Sequence, residues 1–319
     1  MRWLVALLGV LLLAGCSVIS LDLTPRIRPL EEETVEGHGD AKILLMDVSG
    51  FLSDETPSGV LTIGTPPPRV PMLVRLREEL KKAAEDSKVR AIVVRINSPG
   101  GTVTASDIMF RELDNFKRSS GIPIVASMMD VAASGGYYVA LAADTIVAHP
   151  TTVTGSIGVI MLTLNAEGLM QKVGLAAAAI KSGERKDMGS PFRQLTPEER
   201  AIFQSVIDDL HRQFVAKLVD RRKIPQAAAA TLADGRIYTA EQALGLKLID
   251  AIGYVPDALA AARRAAGLEE ARVVVYKRPR EYRATYYARS EAEGGAFTTL
   301  SQLAGLAGAG PKFLFLWAP

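Results

Sequence analysis

Apolar residues along this chain fall into two alternating patterns. Short, largely β-branched runs bounded by turn residues occur at Lys42 to Val48, Arg90 to Ile96 and Ile122 to Ala126, and each has the length and composition of a buried strand. Between them, Leu73 to Glu85 carries apolar side chains at 73, 76, 80, 83 and 84, and Ala105 to Phe116 repeats that helical spacing. Strands alternating with helices predict an α/β fold with mostly parallel strands, because a crossover helix returns the chain to the same end of the sheet. Further on, Thr196-Pro197-Glu198-Glu199 starts a helix: Thr196 caps it, Pro197 has no amide to lose in the first turn, and Glu199 completes a capping box. The spacing predicts a long helix through about Arg222. Thr239-Ala240-Glu241-Gln242 opens another, which Gly245 ends.

The ends of the chain break both patterns. Met1-Arg2-Trp3, the apolar run Leu4 to Leu13 and then Leu13-Ala14-Gly15-Cys16 have the order of a secretory signal, too short to span a bilayer. The ending is similar to the lipobox of bacterial lipoproteins, so residues 1–15 are expected to be removed and Cys16 to be lipidated. Cys16 is the only cysteine, which excludes an intramolecular disulfide and leaves lipid attachment as its best use. Residues 16–40, with Pro25, Pro29 and the acidic run Glu31, Glu32, Glu33 and Glu36, read as a tether. A domain is expected over 41–265 and a C-terminal extension over 266–319. Within the domain, Ser53 to Pro71 reads as a long loop. The extension ends in the apolar run Phe313 to Trp317, expected to be exposed, to lie on a membrane, or to dock in a groove of its own or a neighbouring subunit.

Composition narrows the function classes. The 319 residues carry a formal net charge of +2 with no long basic tract, so nucleic acid is not an expected partner. The chain has 3 histidines, and none stands where a catalytic base announces itself. His38 precedes the expected domain, His211 falls between charged neighbours in the long helix, and His149 ends the strand-like stretch Asp144 to Ala148.

The candidate chemistry lies in small-residue turns. Ser134, in Ala132-Ala133-Ser134-Gly135-Gly136-Tyr137, is placed where a strand would meet a helix N-terminus, whose free N–H groups favour a developing oxyanion. A serine nucleophile needs a base within hydrogen-bond reach. A lysine serves if burial strips its charge, which takes a fall of roughly 3 pH units from the ordinary lysine value. Lys181 and Lys186, in Lys181-Ser182-Gly183-Glu184-Arg185-Lys186-Asp187, are the two candidates. Asn97-Ser98-Pro99-Gly100-Gly101 follows a buried strand and reads as a turn whose exposed amides could serve an oxyanion hole, with Ser98 a turn residue.

Over about residues 40–265 the chain resembles the signal peptide peptidase A family, relatives of the caseinolytic proteases and of the crotonase-type fold. The matching stretches are Arg95 through Gly101, Ala132 through Tyr138, Thr154-Gly155-Ser156-Ile157-Gly158-Val159, Lys181-Ser182-Gly183 through Lys186-Asp187 with Ser190-Pro191, and Gly235-Arg236 through Gly245-Leu246 and Asp250. The resemblance implies a crotonase/caseinolytic-protease-like core with peripheral helices, Ser134 as nucleophile, Lys186 as base and Ser156 orienting the lysine. Gly101 and Gly135 would form the oxyanion hole. It implies a serine endopeptidase without metal or organic cofactor, acting on apolar peptides such as cleaved signal peptides. A ring-like homo-oligomer on the extracytoplasmic side of a bacterial membrane is expected. The rivals are a Ser-His caseinolytic-type peptidase using His149, and a non-catalytic lipid-tethered scaffold. A crotonase-type acyl-coenzyme A enzyme fits the fold but not the export signal.

Overall fold

In the computed structural model, the described residues are 28–54, 70–279, 281, 285–288 and 312–317. They form, in chain order, β1 (Glu31–Glu36), β2 (Lys42–Leu52), α1 (Met72–Glu85), β3 (Val89–Thr102), α2 (Val103–Ser120), β4 (Ile124–Ala133), α3 (Gly135–Ala140), β5 (Thr145–Ala148), β6 (Val153–Gly155) and β7 (Ile160–Met161). There follow α4 (Glu167–Lys172), α5 (Pro197–Arg222), α6 (Gln226–Leu232), β8 (Ile237–Thr239), α7 (Ala240–Gly245), β9 (Ala251–Ile252), α8 (Val255–Ala265), β10 (Arg272–Lys277) and β11 (Phe313–Leu316).

The strands join one sheet in the order β1-β10-β2-β3-β4-β5-β9, parallel from β10 to β9. Its central strands are apolar on both faces, as helices on both sides require. Leu44, Met46, Ile92 and Val94 pack with Leu76, Leu80, Leu113 and Phe214 of α1, α2 and α5, while Ile43, Leu45 and Val93 pack with Val255 and Leu259 of α8. This is the crotonase/caseinolytic-type α/β core with peripheral helices. Both expected capping boxes form: Thr196 Oγ1 accepts the Glu199 N–H while Glu199 accepts the Thr196 N–H, and Thr239 and Gln242 repeat the exchange.

Three expectations change. Ordered structure begins before residue 41, because Glu31–Glu36, read as tether, pairs antiparallel with β10. The run lacks apolar periodicity because backbone bonds and ion pairs hold it, with Lys42 on Glu32 at 2.7 Å and Lys277 on Glu33 at 2.6 Å. The domain also continues past residue 265, since β10 lies between β1 and β2 inside the sheet. Residues 97–101, read as a turn, belong to β3, which runs on to Thr102, and the tail strand β11 pairs with its residues 100–102. Residues 1–27, with Cys16, and residues 55–69 of the Ser53 to Pro71 loop lie outside the described residues.

Candidate active site

β4 delivers Ser134 to the start of α3 through a sharp bend. Ser134 has φ 51° and ψ −115°, the backbone of the first central position of a type II′ turn, which glycine normally occupies. Such a conformation costs about 1–3 kcal/mol and persists only where its surroundings impose it. Here the Ser134 N–H donates to the Gly155 carbonyl of β6 at 2.7 Å, and its own carbonyl accepts from Tyr138 N at 2.9 Å. The two tyrosines that follow lock the helix, Tyr137 donating its hydroxyl to the Leu248 carbonyl at 2.8 Å and Tyr138 to Asp107 at 2.7 Å. Burial pushes the Tyr137 hydroxyl pKa well above its usual range, so it stays a donor. The Ser134 side chain is buried, yet its Oγ has no hydrogen-bond partner among the described residues. A strained backbone thus carries a buried hydroxyl left without a partner among the described residues, the kind of exception that asks for a reason.

Gly135 and Gly136 carry no side chain because the Ser106 hydroxyl and the Ser98 carbonyl occupy the places their Cβ atoms would take. Beside them β3 ends in Gly100 and Gly101, and into this cleft the chain inserts its own tail. β11 runs antiparallel between β3 and β7, with Phe315 opposite Gly101, Leu316 opposite Gly100 and Phe313 opposite Met161. The Trp317 N–H donates to the Pro99 carbonyl at 2.9 Å. In an antiparallel ladder hydrogen-bonded and non-bonded pairs alternate, so Gly101 and Phe315 exchange the next bonds and the Gly101 N–H meets the Phe315 carbonyl oxygen. That oxygen also lies against Gly100 and Gly135, and a Cβ on Gly100 would overlap it. The Phe315 ring stacks on Tyr138 with centroids 5.2 Å apart and tilts onto Phe214 at 4.7 Å. Two residues earlier Phe313 faces Phe203, on the wall of a cavity of about 550 Å³ lined also by Met161, Arg200 and Ile207.

The lysine segment lies apart, on a largely exposed arm over 162–195. Lys181 is engaged, its Nζ donating to Asp187 at 2.6 Å and to the Glu184 carbonyl at 2.8 Å. Arg193 forks between Asp187 and Glu199, the capping-box partner of Thr196 in the first turn of α5, and so ties the segment to the body. Arg193 and Lys181 hold the Asp187 carboxyl far below the usual carboxylate range; Arg193 and the Thr196 amide bring Glu199 to about 2. Lys186 donates its backbone N–H to the Gly183 carbonyl at 3.1 Å, while its side chain is exposed and makes no hydrogen bond with the described residues. The chain therefore brings Ser134, Gly101, Gly135 and Ser156 to one place and leaves Lys186 outside it. Ser156 follows the Gly155 that binds the Ser134 amide; it has φ 49° and donates its N–H to the Arg236 carbonyl at 2.7 Å.

The histidines have other partners. His149 Nδ1 is 2.9 Å from Thr151 Oγ1 and its ring stands edge-on to Tyr254; it does not reach the Ser134 hydroxyl. His211, although it falls between charged neighbours in the sequence, is half-buried with Nε2 2.7 Å from the Ala233 carbonyl, and His38 pairs with Glu270 at the surface. Sequence reading missed Phe214, half of the seat for Phe315, and the hydroxyl contacts of Ser98. Only the five-residue apolar run at 313–317 hinted that a groove needed an occupant.

The model of peptidase family S49 matches residues 116–269. A protein of Enterococcus faecium named "Putative signal peptide peptidase SppA" is 36% identical over 77% of this chain and 70% of its own length. "Protease 4" of Salmonella typhi is 35% identical over 60% of this chain and 31% of its own length, and "Serine protease SPPA, chloroplastic" of Arabidopsis thaliana 37% over 61% and 28%.

Proposed function

The chain belongs to peptidase family S49, the signal peptide peptidase A family, and from that premise we propose that it is a lipid-anchored extracytoplasmic endopeptidase working through Ser134 and Lys186. The observation that carries this reading is the Phe315 carbonyl seated against Gly101 and Gly135 beside the unpartnered Ser134. An extended peptide taking the place of β11 adds a strand between β3 and β7 and presents one carbonyl to the serine. Ser134 Oγ attacks that carbon as its proton passes to the neutral Lys186 amine, and the Gly101 and Gly135 N–H groups hold the oxyanion. Collapse of the tetrahedral adduct breaks the C–N bond, and Lys186 returns the proton to the leaving amine. Water, deprotonated by the same lysine, then hydrolyses the acyl-enzyme. Ser156 orients the lysine.

The base reaches the serine from a second copy of the chain. Supporting this are the bare Ser134 hydroxyl, the exposed Lys186 and the apolar surface of the arm, where Leu164, Leu169, Leu175 and Ile180 all face solvent. A ring-like homo-oligomer buries that surface and closes each site with a neighbour's arm. The aromatic seat of Phe315 selects apolar segments such as spent signal peptides, and a lipid on Cys16 keeps the enzyme at the membrane that holds them.

A serine-reactive fluorophosphonate should label Ser134, as peptide mapping would show. Mixing inactive Ser134→Ala subunits with inactive Lys186→Ala subunits should restore turnover, because some sites then receive an intact serine and an intact lysine. Labelling at another serine rejects the nucleophile; a mixture as dead as its components, after verified subunit exchange, rejects a dyad shared between copies.

A further inference from the structure

Ser98 sits where the two halves of the glycine cleft meet. It is fully buried, and its hydroxyl is used on both sides, donating to the Gly50 carbonyl of β2 at 2.6 Å and accepting the Gly100 N–H at 3.0 Å. Its backbone is registered opposite Ala132 of β4, and its carbonyl oxygen fills the space beside Gly136. One residue thus touches the strand end carrying Gly101 and the helix start carrying Gly135.

The Gly100 contact decides where the next amide points. Gly100 has φ 107°, a backbone setting that its own missing side chain does nothing to enforce. Successive N–H groups of an extended segment point to opposite sides, so holding the Gly100 N–H on Ser98 turns the Gly101 N–H into the cleft, where it meets the Phe315 carbonyl. Without the hydroxyl the Gly100 N–H loses its acceptor, and the peptide is held from its other end alone, by whatever strand donates to the Pro99 carbonyl as Trp317 does here, so that it can tilt and take the Gly101 amide off that line.

We propose that Ser98 is the positioning residue of the oxyanion hole, its hydroxyl fixing the Gly100 peptide so that the Gly101 N–H is aimed at the reacting carbonyl. This rests on the reading of Gly101 and Gly135 as oxyanion donors. Ser98 does not touch the peptide; it acts through Gly100, and the cost of losing it falls on the transition state.

The test uses full-length enzyme carrying Ser98→Ala or Ser98→Cys, the latter keeping shape and a weak donor where the former fails to fold. Three quantities are read: kcat and KM on an apolar peptide, the affinity of a peptide aldehyde ending in phenylalaninal, and the affinity of the matching free acid. The aldehyde adds the Ser134 O–H across its carbonyl, and the resulting hemiacetal oxygen occupies the hole. The expected result is a fall in kcat of ~10–100-fold with KM within about threefold, an equal loss of aldehyde affinity and little change for the acid. A lower melting temperature with kcat and aldehyde affinity within twofold of wild type would overturn the proposal and leave Ser98 a packing residue. Continued cleavage by Ser134→Ala would instead reject the serine-peptidase reading, whatever the Ser98 variants do.

Discussion

Phe315 and Gly101 face each other across the β11–β3 ladder, so a carbonyl of the chain's own tail fills the place that the proposed mechanism gives to the substrate carbonyl. The tail is not loosely laid there: Leu314 and Phe315 are each 1% exposed, and the Phe315 ring completes a cluster with Tyr138 and Phe214.

The tail and a peptide substrate should therefore compete. Removing residues 312–319 is expected to raise kcat/KM for a short apolar peptide several-fold, mainly through KM, since a tethered competitor acts at roughly millimolar effective concentration. It should also lower the melting temperature, because Tyr138 and Phe214 lose their cover. Peptide kinetics and a thermal scan on the same preparation check both; an unchanged KM would mean that the strand does not limit access.

If Ser134 is the nucleophile proposed above, its strained backbone trades stability for chemistry. Replacing it by glycine relieves the φ of 51°, and replacing it by alanine removes a buried hydroxyl that has no partner. Both variants should be inactive. Ser134→Gly should be more stable than wild type by about 1 kcal/mol, and Ser134→Ala no less stable than wild type. Calorimetry decides, with an equal or lower melting temperature for Ser134→Gly counting against the strain.

The lysine arm should loosen in acid. The Glu199 pKa is depressed in the folded protein to about 2, from an ordinary value of 4.5, chiefly by Arg193. A depressed carboxylate contributes stability that is fully present above its unfolded value and is lost as pH falls through the folded one. Between about pH 4.5 and pH 2 the Arg193 fork should open, and amide exchange over 181–195 should quicken before that of β2 and β3. Uniform exchange across arm and sheet over that range would argue against a local anchor.

Ser134→Ala, Lys186→Ala and the double variant should show the same residual rate, because residues that act as a unit are not additive. A double variant clearly slower than either single one would mean that the two contribute separately. Cys16→Ala should move the protein from the membrane to the soluble fraction; an unchanged membrane fraction would remove the lipid from the picture.

Short-range physics made much of this protein legible in its sequence. The apolar runs over Lys42 to Val48 and Arg90 to Ile96 became the central strands β2 and β3, since a strand buried on both faces is mostly apolar, and the charges these two carry inside, Asp47 and Arg95, pair with each other at 2.6 Å. The caps at Thr196 and Thr239 are built from residues three apart and need nothing else. The place of Ser134 between a strand and a helix was legible because the small residues around it interrupt one pattern and open the next. Long-range pairing was not. The acidic run Glu31–Glu36 has no periodicity of its own and becomes a strand only because β10 offers a ladder more than 200 residues away. The tail becomes a strand only between β3 and β7, and Ser98 becomes more than a turn residue only when Gly50 and Gly100 meet at its hydroxyl. Local propensity is written residue by residue, whereas a backbone partner or a buried hydroxyl's acceptor is supplied by whichever distant segment the packed core brings alongside.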